Sequence, residues 1–345
     1  MITCNLLKLI KRISNKEYLK MKYITSILII TFLITACSNR KENKSRIAEL
    51  EFEIPAKLGE GAFWNYKTDE FYWVDIEEKH LHIYSPKTKI NKSIIMPCRI
   101  GTIVPSEEEN KAVVALEDGI YIVDTKTEEI NVLSDVESDI VENRFNDGKC
   151  DPNGNLWVGS MHLKQSQPNA SLYRINAEGK TDTMVKNITI SNGIVWSKDT
   201  KTMYYIDTPT GNIKAYDYDT KTSTVTNERV AVKVSEKDGF PDGMAIDEND
   251  MLWVGMWNGD AVAQFNPKTG KLISKIQVPA HNVTSCAFGG DNLDELYITT
   301  ASVDMTAEEK KKYPLAGSLF KIKLNVKGVR SNFFKKPVFL NAQVH

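Results

Sequence analysis

Four pairs along this 345-residue chain, among other such dipeptides, place an oxygen-bearing side chain directly before a glycine near the start of an apolar run. The pairs are Glu60-Gly61, Asp147-Gly148, Asn192-Gly193 and Asp242-Gly243. Carboxylates and a carboxamide offer oxygen donors to a cation. Brought together away from water, the carboxylates repel each other, and their ionised forms are costly to desolvate. A divalent cation resolves that conflict. An all-oxygen set suits a hard ion such as Ca²⁺, Mg²⁺ or Mn²⁺ better than a Cys/His-held Zn²⁺. Taken singly, Asp-Gly and Asn-Gly are turn dipeptides. Glu-Gly is not a favoured turn pair. Only a fold that makes the four positions equivalent turns them into one site.

A repeat supplies that equivalence. A polar turn followed by a short apolar strand recurs as NYKTDEFYWVD (65–75), SEEENKAVVAL (106–116), DPNGNLWVG (151–159), SKDTKTMYYID (197–207), DENDMLWVG (247–255) and GGDNLDELYIT (289–299). Val74, Val114, Val158, Ile206, Val254 and Ile298 hold matching places, 40–48 residues apart. Each unit is followed by an alternating stretch, such as Gly119-Ile120-Tyr121-Ile122-Val123-Asp124, whose period of two predicts a second strand. Helical periodicity is absent from this region. Residues 304–312 could form one surface turn of helix or a solvated charge run.

About four short strands per 40–50 residues is the pattern of a propeller blade, and six units predict an all-β, six-bladed β-propeller with a central metal site. A parallel β-helix would need shorter coils. The odd strand ELEFEI (49–54) is expected to complete the last blade, joining chain start to chain end. The four polar-Gly pairs then begin innermost strands and ring one mouth of the central channel.

The segments GEGAFW (59–64), RFNDGKCDPNGNLWVGSM (144–161), ISNGIVWS (190–197), YYIDT (204–208), FPDGMAID (240–247), LWVGMWNG (252–259) and TSCAFGG (284–290) resemble the SMP-30/gluconolactonase/regucalcin-like family. The resemblance runs from about residue 56 to 302 and implies a six-bladed propeller. It implies metal ligation by Glu60, Asn192 and Asp242, and substrate contacts from Arg144 and Asn146. Without the motif, Arg144 reads as a surface ion-pair partner. Asp147 aligns with the motif's Asp and either supports the site or holds its turn. His162 opens a loop (162–171) that in this family covers the site, and is expected to support it. Ala62 stands where the family commonly has Pro.

The activity implied is hydrolysis of a sugar lactone with one divalent cation, Ca²⁺ first, with Mg²⁺, Mn²⁺ or Zn²⁺ as alternatives. Asp242 would serve as general base, although a bound cation lowers a carboxylate's pKa and leaves a purely ligating role open. The polar residues Lys164, Gln165, Ser166 and Gln167 favour sugars. Two other readings stay open: a hydrolase of other lactones or phosphotriesters on the same site, and a non-enzymatic calcium- or carbohydrate-binding propeller. His80 and His82, alternating on an outer strand, are expected to face solvent, and His281 to be structural.

The chain carries 44 Lys+Arg against 45 Asp+Glu, which argues against nucleic acid as partner. Residues 1–36, with a basic start and an apolar run, read as a signal peptide whose true start could be Met21. The ending Ile34-Thr35-Ala36-Cys37 resembles a bacterial lipobox, which implies lipidation of Cys37 and an exported lipoprotein anchored to a membrane, facing periplasm or cell surface. An uncleaved hydrophobic anchor is the alternative. Residues 37–48 are expected to be a flexible tether and 49–345 a single domain. Cys98, Cys150 and Cys286 are too few for a disulfide scaffold.

Overall fold

The computed structural model describes residues 46–337. The expected leader, Cys37 and His345 lie outside the described residues.

Six antiparallel sheets follow one another along the chain. Blade one is β3 (Gly59–Asn65), β4 (Glu70–Asp75), β5 (His80–Ser85) and β6 (Ile90–Ile95). Blade two is β7 (Ile100–Pro105) to β10 (Ile130–Ser134), by way of β8 (Lys111–Leu116) and β9 (Gly119–Asp124). Blade three holds β11 (Asn143–Cys150), β12 (Leu156–His162), β13 (Ala170–Ile175) and β14 (Thr181–Ile188). Blade four holds β15 (Ser191–Trp196), β16 (Thr202–Asp207), β17 (Asn212–Asp219) and β18 (Thr224–Lys233). Blade five holds β19 (Phe240–Ile246), β20 (Leu252–Trp257), β21 (Ala261–Asn266) and β22 (Lys271–Gln277). Blade six takes β23 (Asn282–Gly289), β24 (Glu295–Ala301) and β25 (Leu319–Lys323) from the chain's end and β2 (Glu49–Phe52) from its start.

The fold is therefore the six-bladed propeller that the repeat implies. Val74, Val114, Val158, Ile206, Val254 and Ile298 lie on the second strands and are fully buried. There they fill the space between neighbouring blades. The repeated turns fold for a definable reason. In DPNGNLW, Asp151 Oδ1 accepts the Asn153 and Asn155 amides, both at 2.9 Å, while Oδ2 accepts Trp157 Nε1 at 3.0 Å. Asp247 does the same for Asn249, Met251 and Trp253 in blade five.

Three departures have physical causes. Arg46 and Ile47, expected in the tether, form strand β1 (Arg46–Ile47), parallel to β22, and Ala48 is buried behind them. Residues 304–312 include a helix, α1 (Ala307–Lys312), started by a capping box between Thr306 and Glu309. His82 is buried rather than solvent-facing. Its strand is third in the blade, and its ring stacks on Trp73 directly across the ladder, with centroids 4.0 Å apart.

His82 Nδ1 meets Ser93 Oγ at 2.8 Å and Asn91 Nδ2 at 2.9 Å. The Asn91 amide can only donate, so the neutral ring accepts there. Burial, then the His80 charge, pushes the His82 pKa down from 6.5 to about 3. The unfolded chain thus binds a proton that the fold refuses. Stability from this group is complete above pH 6.5 and is lost as pH falls toward 3. His82→Phe is expected to flatten the melting-temperature profile between pH 6.5 and 4, read by thermal unfolding. A profile as steep as wild type would count against this account.

Candidate functional site

Every innermost strand breaks register with its partner at the same level. The breaks fall between Glu60 and Phe63, Ile100 and Thr102, Phe145 and Gly148, Ser191 and Ile194, Pro241 and Met244, and Val283 and Cys286. A bulge leaves residues unpaired and re-aims their side chains. Asp147, Asn192 and Asp242 are bulge residues, and Glu60 stands at the edge of its own. Blades two and six place Gly101 and Thr284-Ser285 there, so they add no carboxylate. The following glycine is required by the neighbouring blade at Gly193 and Gly243, by the second strand of its own blade at Gly148, and by backbone conformation at Gly61. A Cβ on Gly243 would sit 2.3 Å from Ser285 Oγ, and Gly61 has a φ of 64° that side chains rarely adopt.

Glu60, Asp147, Asn192 and Asp242 are buried together with Arg144 and Asn146, all 4–7% exposed. Glu60 and Asp242 face each other within hydrogen-bonding reach. Burial, then the Asp147 charge, pushes the Glu60 carboxyl up to about 8. Burial, then Glu60, holds Asp242 well above the usual carboxylate range. Burial also raises Asp147. Arg144 is drawn down to about 10, first by burial and then by Arg99. Asp242 Oδ1 and Asp147 Oδ2 are buried with no hydrogen-bond partner. An orphaned carboxylate oxygen is expensive, and two in one cluster mark an unmet need for positive charge.

A hydrogen-bond chain links the remaining polar groups. Arg144 Nη1 donates to Phe145 O at 2.9 Å and to Asn146 Oδ1 at 2.7 Å. Asn146 Nδ2 donates to Ser191 O at 2.7 Å and lies 3.4 Å from Asn192 Oδ1. Asn192 Nδ2 donates to Thr208 Oγ1 at 2.9 Å. The loops entering these strands are held by aspartates that end second strands. Asp75 accepts the Lys57 and Leu58 amides, and Asp207 accepts that of Ile190.

Above this floor opens a cavity of about 650 Å³. Glu60, Arg144, Asn146, Asn192 and Asp242 all line it. Asp147 does not, and its charge acts on the cluster from behind. His162 does not reach the wall either. It ends strand β12 rather than opening a loop, is 5% exposed and leaves Nδ1 without a partner. Its neighbour Met161 lines the cavity, and successive strand residues face opposite ways. Of the expected polar loop, Gln165 contributes.

Sequence reasoning missed much of the upper wall. Phe240 and Trp257 oppose each other across the β19–β20 ladder there, and Phe240 is 42% exposed. His281, expected to be structural, lines the cavity with its Nδ1 2.6 Å from Asp260 Oδ1 and its ring stacked on Tyr313. Asp304, Met305, Thr306 and Glu309 come from the α1 segment. Trp257 offered one signal: it ends the second strand of blade five, near the close of the motif LWVGMWNG.

The opposite end of the channel is crossed by the chain's C-terminal segment. Gly328 bridges Asp247, Asn332 bridges Cys150 and Phe334 bridges Ser106, all at or just past the far ends of inner strands. Phe333 packs edge-on against Phe63 and Tyr66.

Among the described residues no three Asp, Glu, His or Cys side chains form a ready-made metal cage. The donor set instead combines two carboxylates with an amide. It fits a hard cation on three counts: the orphaned Asp242 oxygen, the uncompensated charge on Glu60 and Asp242, and an Asn192 oxygen held only by a long 3.4 Å contact from Asn146 Nδ2 while its nitrogen is committed to Thr208.

Known proteins share this architecture. The Bacillus subtilis (strain 168) protein named "Putative sugar lactone lactonase YvrE" is 40% identical over 284 residues, covering 81% of this chain and 96% of that protein. Xenopus laevis regucalcin is 34% identical over 284 residues, covering 81% of this chain and 95% of its own. Among solved structures, a luciferin-regenerating enzyme matches with a TM-score of 0.78 and 34% identity, covering 84% of this chain and 99% of that one. The calcium-binding protein regucalcin of Agrobacterium tumefaciens strain C58 matches at 0.80 with 26% identity, covering 84% and 97%. The SMP-30/gluconolactonase/LRE-like region matches residues 58–302, and the chain belongs to that family.

Proposed function

We propose that this protein is a divalent-metal-dependent hydrolase that opens a sugar lactone. The observation that carries the reading is the buried Glu60–Asn192–Asp242 set at the floor of the cavity, with Asp242 Oδ1 lacking a partner. The relative named as a sugar lactone lactonase supports the substrate class, and the regucalcins support a divalent cation. Glu60, Asn192 and Asp242 would hold the ion. When bound, it supplies a Lewis acid for the lactone carbonyl and offsets the charge of the carboxylates.

The chain's own groups do the rest. Asp242 would hold the cation as a carboxylate and would accept the proton of the attacking water. The water oxygen bonds the carbonyl carbon, the ring C–O bond breaks, the ring oxygen leaves as a hydroxyl on taking the proton that Asp242 holds, and the product carboxylic acid releases its own proton to water. Arg144 has guanidinium N–H groups beyond Nη1 and can donate them to sugar hydroxyls or to the developing oxyanion. The apolar wall of Met161, Phe240, Trp257 and Met305 favours, as a second reading, a lactone with an apolar substituent. Export and lipid anchoring at Cys37 are part of the proposal and rest on the leader's sequence alone.

The test is proton release from sugar and alkyl lactones by protein stripped of metal and reloaded with Ca²⁺, Mg²⁺, Mn²⁺ or Zn²⁺. Turnover is expected to vanish on stripping and return on reloading. Tight metal binding without turnover of any lactone would remove the lactonase reading and leave a phosphotriester hydrolase or a binding propeller. Preference for alkyl lactones would favour the second reading.

A further inference from the structure

Asn192 can serve as an oxygen donor only if its amide is turned the right way. The oxygen and nitrogen of a carboxamide are nearly alike in shape, so their partners decide the orientation. We propose that Thr208 is a positioning residue that locks Asn192 with its oxygen toward the cation site. The proposal rests on the reading above that Asn192 holds a divalent ion.

The argument runs from two groups that have no choice. Thr208 Oγ1 lies 2.8 Å from the Pro241 carbonyl, which can only accept, so the single hydroxyl proton points there. What the hydroxyl then offers is a lone pair. Asn192 Nδ2, at 2.9 Å, fills it. Turned over, Asn192 would set its oxygen against an oxygen with no proton to give.

The other side agrees. Arg144 can only donate, so it takes Asn146 Oδ1 and leaves Asn146 Nδ2 facing Ser191 O and Asn192 Oδ1. A turned Asn192 would put two N–H groups against each other. A donor at one end of the chain and an acceptor at the other thus fix one amide from both sides. Pro241 directly precedes Asp242, so the same hydroxyl ties the blade-four donor to the blade-five donor. Thr208 is placed independently of its hydroxyl. It opens a single 3-10 turn (Thr208–Thr210) after β16, and its own N–H donates to Ile190 O at 3.1 Å.

Thr208→Val keeps the shape and removes the hydroxyl, while Thr208→Ser keeps the hydroxyl. Calorimetric titration of the full-length protein with Ca²⁺ and Mn²⁺ is expected to show T208V weakened about tenfold or more and T208S close to wild type. In an Asn192→Ala background, adding T208V is expected to cost nothing further. A second readout needs no metal. The Asn192 side-chain amide signals, identified by their loss in N192A, should be slow to exchange in wild type and T208S and fast in T208V.

T208V that binds as tightly as wild type would overturn the proposal. So would a further loss on adding T208V to N192A. If wild type binds no divalent ion, the cation reading falls and takes this proposal with it, whatever the amide signals show. If wild type binds and T208V does too, this proposal alone falls. Should T208V fail to fold, T208A carries the same comparison.

Discussion

Asp242→Asn is expected to cut lactone turnover by about 10²–10⁴-fold, while metal-free protein melts at a higher temperature than wild type. The two effects have one source. Asparagine keeps an oxygen in the same place but carries no charge and takes no proton. Asp242 sits among Glu60 and Asp147 under burial that already holds its carboxyl well above the usual range. Its ionised form is therefore a burden on the empty fold, and removing it relieves repulsion. Under the proposed function, the same removal would take away the base and weaken the hold on the cation. Initial rates under saturating metal, with thermal melts in chelator, measure both. D242N that retained turnover within a few-fold would exclude Asp242 as the base. A lower metal-free melting temperature would contradict the repulsion argument.

Deleting residues 46–52 is expected to lower the melting temperature by about 10 °C or more, equivalent to several kcal/mol in a domain of this size. Blade six owes its outer strand to this segment, because β2 pairs with β25. Phe52 packs on Tyr84 with ring centroids 5.0 Å apart, and Glu51 accepts a 2.9 Å bond from the Tyr84 hydroxyl. Glu51 also pairs with Lys89 of blade one and Lys321 of blade six. The segment therefore joins the two blades where the ring closes. Its loss would expose a sheet edge as well as open the seam. A synthetic peptide of residues 46–54 added in trans should recover part of the loss. A deletion that melts like wild type would show that inner-strand packing alone closes the ring.

The six matching Val and Ile residues made the blades legible, because a repeated strand with a repeated turn leaves a period in the sequence. The floor of the site was legible for a related reason. Each oxygen donor precedes a glycine, and the glycine marks a bulge where a neighbouring strand or the backbone conformation leaves no room for a side chain. The upper wall left no such mark. His281, Asp304 and Glu309 come from connections between strands, whose course no period records. His82 was misjudged because alternation separates the two faces of a strand but cannot say that side chains of the adjoining strands, here Trp73, Asn91 and Ser93, enclose one of them. His162 was misjudged differently. Strand β12 runs one residue into the expected loop, and alternation then gives the cavity to Met161. Thr208 was quoted only as the end of a motif. Its role depends on hydrogen-bond polarity relayed through Arg144, Asn146 and Pro241, which are far apart in the chain.

The C-terminal crossing at the far end of the channel has a consequence for traffic. A ring of blades is by itself a tube, and a tube could pass substrate in at one mouth and product out at the other. With Gly328, Asn332 and Phe334 bridged across blades five, three and two, one mouth is spanned by the chain and the other opens from the cavity of about 650 Å³. Whatever enters past Phe240 and Glu309 leaves the same way. A neutral lactone would descend toward the cation, and an anionic acid would climb back out past Asp304 and Glu309. Those carboxylates disfavour an anion at the rim from either side, so an acid that has left is discouraged from returning while a neutral lactone is not, and the asymmetry of the journey lies in the change of charge rather than in separate doors.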